Sequence, residues 1–305
     1  MLDLSPQDDP EQDTPERHRV AVRSTLVSVV VNLVLTVLQV VVGVLASSQA
    51  LVADGIHSLS DLVADFVVLL ANRHSRKAAD DDHHYGHHRY ETAASLALGA
   101  LLLAVGIGML WGAVHKLSTP EDIPQVGTIA LYVAFFTLVA KEGLFRYMLA
   151  AAERVRSSML VANAWHARSD AASSLVVGLG ILGNIMGYPL LDPVAALIVG
   201  LMVVKMGWRF GWDALNDLMD RSASDEQVNQ IREILADTPG VWGVHDLRTR
   251  KMGDMLMVDA HIEVDGRLSV REGHDIAVLA RDRVMAVLPV LDVMTHLDPT
   301  ESKAG

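Results

Sequence analysis

The chain contains no cysteine. Disulfides and thiolate metal sites are therefore excluded, and any metal must be held by imidazole, carboxylate, carbonyl or water. Basic residues are in deficit: 25 Lys and Arg against 37 Asp and Glu leave a formal charge of -12. That balance argues against nucleic-acid binding. No basic segment followed by a short apolar core opens the chain, so no cleaved signal peptide is expected. Low-complexity tracts are absent too. What is abundant is apolar residue, at 51%, with a mean hydropathy of +0.30. This is too apolar for an ordinary soluble protein of this size. Histidine is also plentiful, 13 in all, mostly in a few clusters.

Two stretches inside apolar runs share one spacing. The first reads Ala53-Asp54-Gly55-Ile56-His57-Ser58-Leu59-Ser60-Asp61, and the second Asn163-Ala164-Trp165-His166-Ala167-Arg168-Ser169-Asp170. On a helix, residues four apart lie one turn above another on the same face. Each His-x-x-x-Asp thus offers an imidazole and a carboxylate to one point. Two such helices face to face would converge four N/O ligands, which suits a tetrahedral divalent ion such as zinc. Burying an Asp near a bilayer centre costs roughly 2.5–3.5 kcal/mol on insertion scales. A chain that does so twice at one spacing is expected to use the groups. The bland alternative is polar cross-linking between helices. Asp54 and Asp65 lie one turn from these pairs. Trp165 suits either packing or an apolar gate.

About six apolar segments reach the ~20 residues needed to span a bilayer, at about 24–45, 49–72, 93–115, 126–149, 159–184 and 189–209. Lys141 and Glu142 near the end of the fourth should face the bundle or a water-filled end. Gly178, Gly180 and Gly183 in the fifth should permit close helix packing. Arginine and lysine concentrate in the tail and alternate loops, at Arg17, Arg19, Arg23, Arg73, Arg76, Lys77, Arg89, Arg146, Arg154, Arg156 and Arg209. That side is expected to be cytoplasmic, and an even number of spans would place both termini there.

Residues 1–20 read as a disordered acidic tail and 21–212 as the membrane domain. Beyond about Asp213 the composition becomes that of a soluble domain, expected over residues 213–300. Ser224-Asp225-Glu226-Gln227 is a capping-box signature for a helix to about Asp237, and Ser269-Val270-Arg271-Glu272 opens another to about Val287. Strand-like runs fall at about 241–250, 255–264 and 290–297. The order αββαβ predicts a small two-layer, ferredoxin-like α+β domain.

These features together resemble the cation diffusion facilitators, with closest likeness to the bacterial zinc and ferrous-iron efflux branch. Three further stretches carry the likeness: Ala79-Asp80-Asp81-Asp82-His83-His84-Tyr85-Gly86-His87, Gly243-Val244-His245-Asp246-Leu247-Arg248-Thr249-Arg250 and Asp292-Val293-Met294-Thr295-His296-Leu297-Asp298-Pro299. The resemblance implies a homodimeric metal/proton antiporter in a bacterial cytoplasmic membrane, with six spans and a cytoplasmic domain. It implies a transport site of His57, Asp61, His166 and Asp170, and a loop site of Asp80, His83 and His87. It further implies a binuclear site at the dimer interface from His245, His261, His274, His296 and Asp298, with Asp298 as the bridging carboxylate. Arg89 and Asp220 match a charge pair that joins the membrane and soluble parts in relatives. The chain departs from that branch at His57, where Asp is frequent. Asp246 and Asp275 read as surface charges.

The expected function is export of Zn²⁺ from the cytoplasm in exchange for protons, with Fe²⁺, Cd²⁺, Co²⁺ and Mn²⁺ as alternative cargoes. Zn²⁺ or a similar ion would also be a structural or regulatory ion of the cytoplasmic domain. Two rivals remain, an intramembrane metalloenzyme and a passive metal channel. Against the enzyme stand the absence of His-Glu-x-x-His, of Gly-x-Ser-x-Gly and of an extra general base beside the quartet.

Overall fold

The computed structural model describes the backbone of residues 15–75, 77–154 and 158–301. Within that range the side chains of residues 15–19, 21, 68, 72, 122, 158–160, 162, 163 and 166 lie outside the described set. The expected acidic tail falls outside it as far as residue 14; the first helix begins at Pro15.

Six long helices come first: α1 (Pro15–Leu45), α2 (Gln49–Ser75), α3 (Arg89–Ser118), α4 (Thr128–Arg154), α5 (Ser158–Ile185) and α6 (Leu191–Leu218). Among the described residues, four segments are long and apolar enough to cross a membrane: Val22–Leu45, Arg89–Ser118, Thr128–Arg154 and Leu191–Leu218. The expectation of six spans is thus met by four on length and composition alone. The two helices left out, α2 and α5, are the ones that carry the His-x-x-x-Asp pairs. Their buried polar residues lower the local hydropathy that a span criterion reads.

Exposed leucines, valines and phenylalanines stud these helices, including Leu33, Val37, Phe66, Phe135 and Leu179. Such a surface suits lipid and not water. The interior is built from small residues, with Ala50, Ala53, Ala130, Ala134, Ala195 and Ala196 packed around Leu51, Val177, Ile181 and Val199. Close approach explains the glycines of α5 in part. A Cβ on Gly180 would lie 2.5 Å from that of Ala195, and one on Gly183 would meet the Leu191 side chain at 2.2 Å. Gly178 faces open space, so it is not a packing glycine in this arrangement.

The remaining elements are α7 (Asp225–Ala236), β1 (Gly243–Met252), β2 (Met255–Asp265), α8 (Val270–Val287) and β3 (Val290–Thr300). Both expected capping boxes are present, Ser224 with Gln227 on α7 and Ser269 with Glu272 on α8. The sheet has the order β1-β2-β3, antiparallel between β1 and β2 and parallel between β2 and β3. The parallel crossover is made by α8, as a parallel pair requires. Val258, Ala260 and Ile262 alternate inward from β2 onto Ile231, Leu235, Ala280 and Val284 of the two helices. His261, between two of those positions, therefore stands on the opposite face. β3 runs on through Pro299, tolerated because β3 is an edge strand.

By contact density the chain divides into two units, one holding residues up to Ala64 and Leu102–Lys205, the other Asp65–Leu101 and residues from Met206 onward.

Candidate metal centres

The first donor group lies within the helices. His57 and Asp61 sit one turn apart on α2, with His57 Nδ1 3.7 Å from Asp61 Oδ2. Asp170 on α5 joins them: one donor atom from each of the three lies within 4.8 Å of the others. His57 is buried and both carboxylates are half-buried. His166 stands on α5 one turn before Asp170, but its side chain is outside the described set. Phe145 and Trp165 flank Arg168, whose guanidinium carbon sits 4.9 Å and 5.1 Å from the two ring centres. Trp165 thus packs on Phe145 and remains half-exposed.

A second polar network abuts this group. Asp54 and Lys141 are 1% and 2% exposed, and their charged atoms are 3.8 Å apart. Gln39 of α1 donates to Asp54. The hydroxyls of Ser173 and Ser174 lie 3.0 and 2.7 Å from the same carboxylate. Lys141 therefore faces the bundle interior, whereas Glu142 pairs with Arg146 at 2.9 Å. Asp65 is exposed.

The second donor group lies in the loop between α2 and α3. Asp80 Oδ1 is 3.3 Å from His83 Nδ1, and Oδ2 is 3.4 Å from His87 Nε2. The two imidazoles are 4.4 Å apart at their centres. The His83 amide donates to Asp80 in a local turn, 2.9 Å. A hydrogen bond from Lys77, 2.6 Å, holds the Asp80 carboxyl well below the usual range, so it is ionised at neutral pH. Beside this loop Arg89 donates to Asp220, to the Leu218 carbonyl and to Met252 Sδ.

The third group rests on sheet register. His245 of β1 is the cross-strand partner of His261 in β2, and His261 is the partner of His296 in β3. Three imidazoles therefore stand in a row, with ring centres 5.1 and 4.6 Å apart. Asp298, two residues after His296, returns to the same face by strand alternation. Its Oδ2 lies 3.0 Å from His261 Nδ1 and 3.2 Å from His245 Nε2, and its Oδ1 lies 3.4 Å from His296 Nε2. Asp298 thus sets one oxygen between two imidazoles and the other beside a third, and His261, His296 and Asp298 form a donor group that could hold a metal ion.

Two further residues bear on this face. His274 is exposed near the start of α8 and joins no group of three donors among the described residues. α8 packs on the face that carries Leu297 and Ile262, not on the histidine face. Asp246, read as a surface charge, is exposed and also stands within a donor group with His245 and His261. The cause is a β-bulge between His245 and Arg248, with Asp246 at φ 45°. The extra residue lets Val244 and Leu247 both pack inward while His245 and Asp246 both remain outside. An apolar spacing of three where two is normal was the available signal.

Comparison with known proteins accounts for this combination. Residues 25–219 match the model of the cation efflux transmembrane domain, and residues 223–300 that of the cation efflux protein cytoplasmic domain. Metal tolerance protein C1 of Arabidopsis thaliana is 37% identical over 280 residues, covering 87% of this chain and 59% of that protein. The chain thus spans less than two thirds of that relative. An uncharacterized transporter of Methanocaldococcus jannaschii, MJ0449, is 32% identical, covering 90% of this chain and 96% of its own length. The manganese efflux system protein MneP of Bacillus subtilis is 29% identical, covering 93% and 98%. The chain belongs to the cation diffusion facilitator family of metal cation transporters.

Proposed function

We propose that this protein is a proton-coupled antiporter that exports Zn²⁺ from the cytoplasm of a bacterium across its inner membrane. The observation that carries the reading is the convergence of His57, Asp61 and Asp170 from α2 and α5 within 4.8 Å. His166, one turn from Asp170, is the proposed fourth ligand. Two nitrogens and two oxygens in a tetrahedral shell suit Zn²⁺. The name of MneP keeps Mn²⁺ as an alternative cargo, and Fe²⁺, Cd²⁺ and Co²⁺ share the same donor preferences in part.

Metal ligands must be deprotonated, so metal and protons compete for the same imidazoles and carboxylates. Facing the cytoplasm, the site takes metal and gives up protons. Facing outward, protonation of imidazoles, whose ordinary pKa is about 6.5, expels the metal. Alternation between the two states would come from rocking of helices about a site near the midplane.

On this reading all six helices span the bilayer, α2 and α5 included, because the site itself accounts for their polarity. Residues 21–212 form the membrane domain and 213–300 the cytoplasmic domain, with both termini cytoplasmic. The protein works as a homodimer. His245, His261, His296 and Asp298 would hold structural or regulatory zinc in the cytoplasmic domain. Because His274 lies apart from them within one chain, its service as a ligand requires a second copy. Asp80, His83 and His87 form the proposed loop site.

The test is uptake of Zn²⁺, Mn²⁺, Fe²⁺, Co²⁺ and Cd²⁺ by proteoliposomes with an imposed pH gradient. Uphill, gradient-dependent Zn²⁺ flux is expected. Flux that only runs downhill would indicate a channel, and no flux in any condition would remove the transport reading.

A further inference from the structure

The buried pair Asp54–Lys141 is not part of the proposed ligand set, yet it is built against it. Lys141 Nζ donates to Ser58 Oγ at 3.1 Å and to the main-chain carbonyl of Asp170 at 3.4 Å. Ser58 follows His57 directly, and Asp170 is itself a proposed ligand. The ammonium therefore contacts the residue next to one proposed ligand and the main chain of another. The carboxylate end of Asp54 is turned toward Gln39, Ser173 and Ser174. Four helices, α1, α2, α4 and α5, contribute to this network.

Burying an ion pair of this kind costs several kcal/mol per ion before the attraction is counted, and apolar residues would pack the same space as well or better. An ionisable residue inside a membrane bundle is by default functional. A positive charge beside a site for a divalent cation has a definite effect. It weakens metal binding, and the weakening is large where the dielectric is low. A transporter needs that weakening, since a site that binds too well does not release.

We propose that Lys141 is a fixed internal cation that tunes the strength of the metal site, and that Asp54 partly offsets its charge. The inference rests on the transport-site reading above. Lys141 acts through its field and through the Asp170 carbonyl, so it is a positioning residue and not a ligand.

The experiment is initial-rate Zn²⁺ transport in proteoliposomes of the full chain, with KM and kcat resolved separately for four variants. Lys141→Gln removes the charge and keeps hydrogen-bond donors. It should lower KM about tenfold and lower kcat, because bound metal leaves more slowly. Asp54→Asn leaves the ammonium unopposed and should raise KM. The double variant Asp54→Asn/Lys141→Gln restores the wild-type net charge and should return KM toward wild type. A merely structural tie would raise KM or lower kcat in all three alike. Should Lys141→Gln fail to fold, Asp54→Asn and the double variant still have to move KM in the stated directions. Equal or same-sign KM shifts in the two single variants overturn the proposal. Asp61→Ala in the same assay separates the two levels: full activity there overturns the transport-site reading and this proposal with it. Inactive Asp61→Ala with unmoved KM in the charge variants overturns this proposal alone.

Discussion

Asp298 Oδ2 lies 3.0 Å from Nδ1 of His261, across the parallel junction of β2 and β3. The contact is diagonal, since the register partner of His261 is His296. Sheet geometry thus delivers a carboxylate to the centre of an imidazole row. Ligand that binds only the folded state raises stability by about 2.7 kcal/mol at a hundred times Kd. Residues 219–305, which hold their own core around Ile231, Val258 and Ile262, should melt higher and dimerise more tightly with Zn²⁺ than with a chelator. Asp298→Ala should lose most of that zinc dependence. Calorimetric melting across a zinc titration checks this, and identical curves for the two proteins would remove Asp298 from the ligand set.

Removing Asp61 or Asp170 breaks the intramembrane group. Asp61→Ala and Asp170→Ala are each expected to reduce transport to background while size-exclusion profiles stay unchanged. Wild-type flux in either variant would show that the metal passes elsewhere.

His57 supplies an imidazole where the zinc and ferrous-iron efflux branch resembled by the sequence frequently has Asp. His57→Asp exchanges a borderline nitrogen for a hard oxygen. Relative transport should shift from Zn²⁺ toward Mn²⁺ and Cd²⁺ in a competition assay. An unchanged profile would show that preference is set by other residues.

The bulge at Asp246 carries a strain that glycine would not. With φ at 45°, Asp246→Gly should stabilise the metal-free soluble domain by about 0.5–1 kcal/mol. If the Asp246 carboxylate helps hold zinc, the same variant should gain less stability from added zinc than wild type. Denaturant melts with and without metal test both halves of the expectation.

Acid should loosen the start of α8. Hydrogen bonds from the Ser269 amide and hydroxyl depress the Glu272 pKa. A depressed folded-state pKa contributes stability above the unfolded value, lost as pH falls through the folded one. Ser269→Ala should lower Tm by a few degrees at neutral pH and by less in acid, where the wild-type cap is already weakened. A constant difference across pH would mean that the carboxylate plays no part in the cap.

Several elements of the protein were legible in local pattern. The His-x-x-x-Asp repeats need only helical periodicity to place an imidazole and a carboxylate on one face, so His57 and Asp61 could be paired by counting. The capping boxes at Ser224 and Ser269 are four-residue signals, and both helices begin where these signals stand. Strand alternation was enough to put Asp298 on the side of His296. Absence of cysteine limited the donor types before any fold was considered.

Other relationships depend on contacts between residues distant in sequence, which no local pattern encodes. Asp54 and Lys141 are 87 positions apart in the chain, and only helix packing brings their charges to 3.8 Å. Neither spacing nor composition distinguishes that buried lysine from one at a wetted helix end. The placing of α8 on the face away from the histidine row, which separates His274 from the other donors, follows from which face of the sheet buries its apolar residues. Asp246 stands on the same side as His245 because a bulge breaks the period of two, which the spacing of Val244 and Leu247 hints at and the pairing with β2 fixes. Local sequence determined which groups could bind a metal; packing decided which of them meet, because convergence is a property of distance in space and not of distance along the chain.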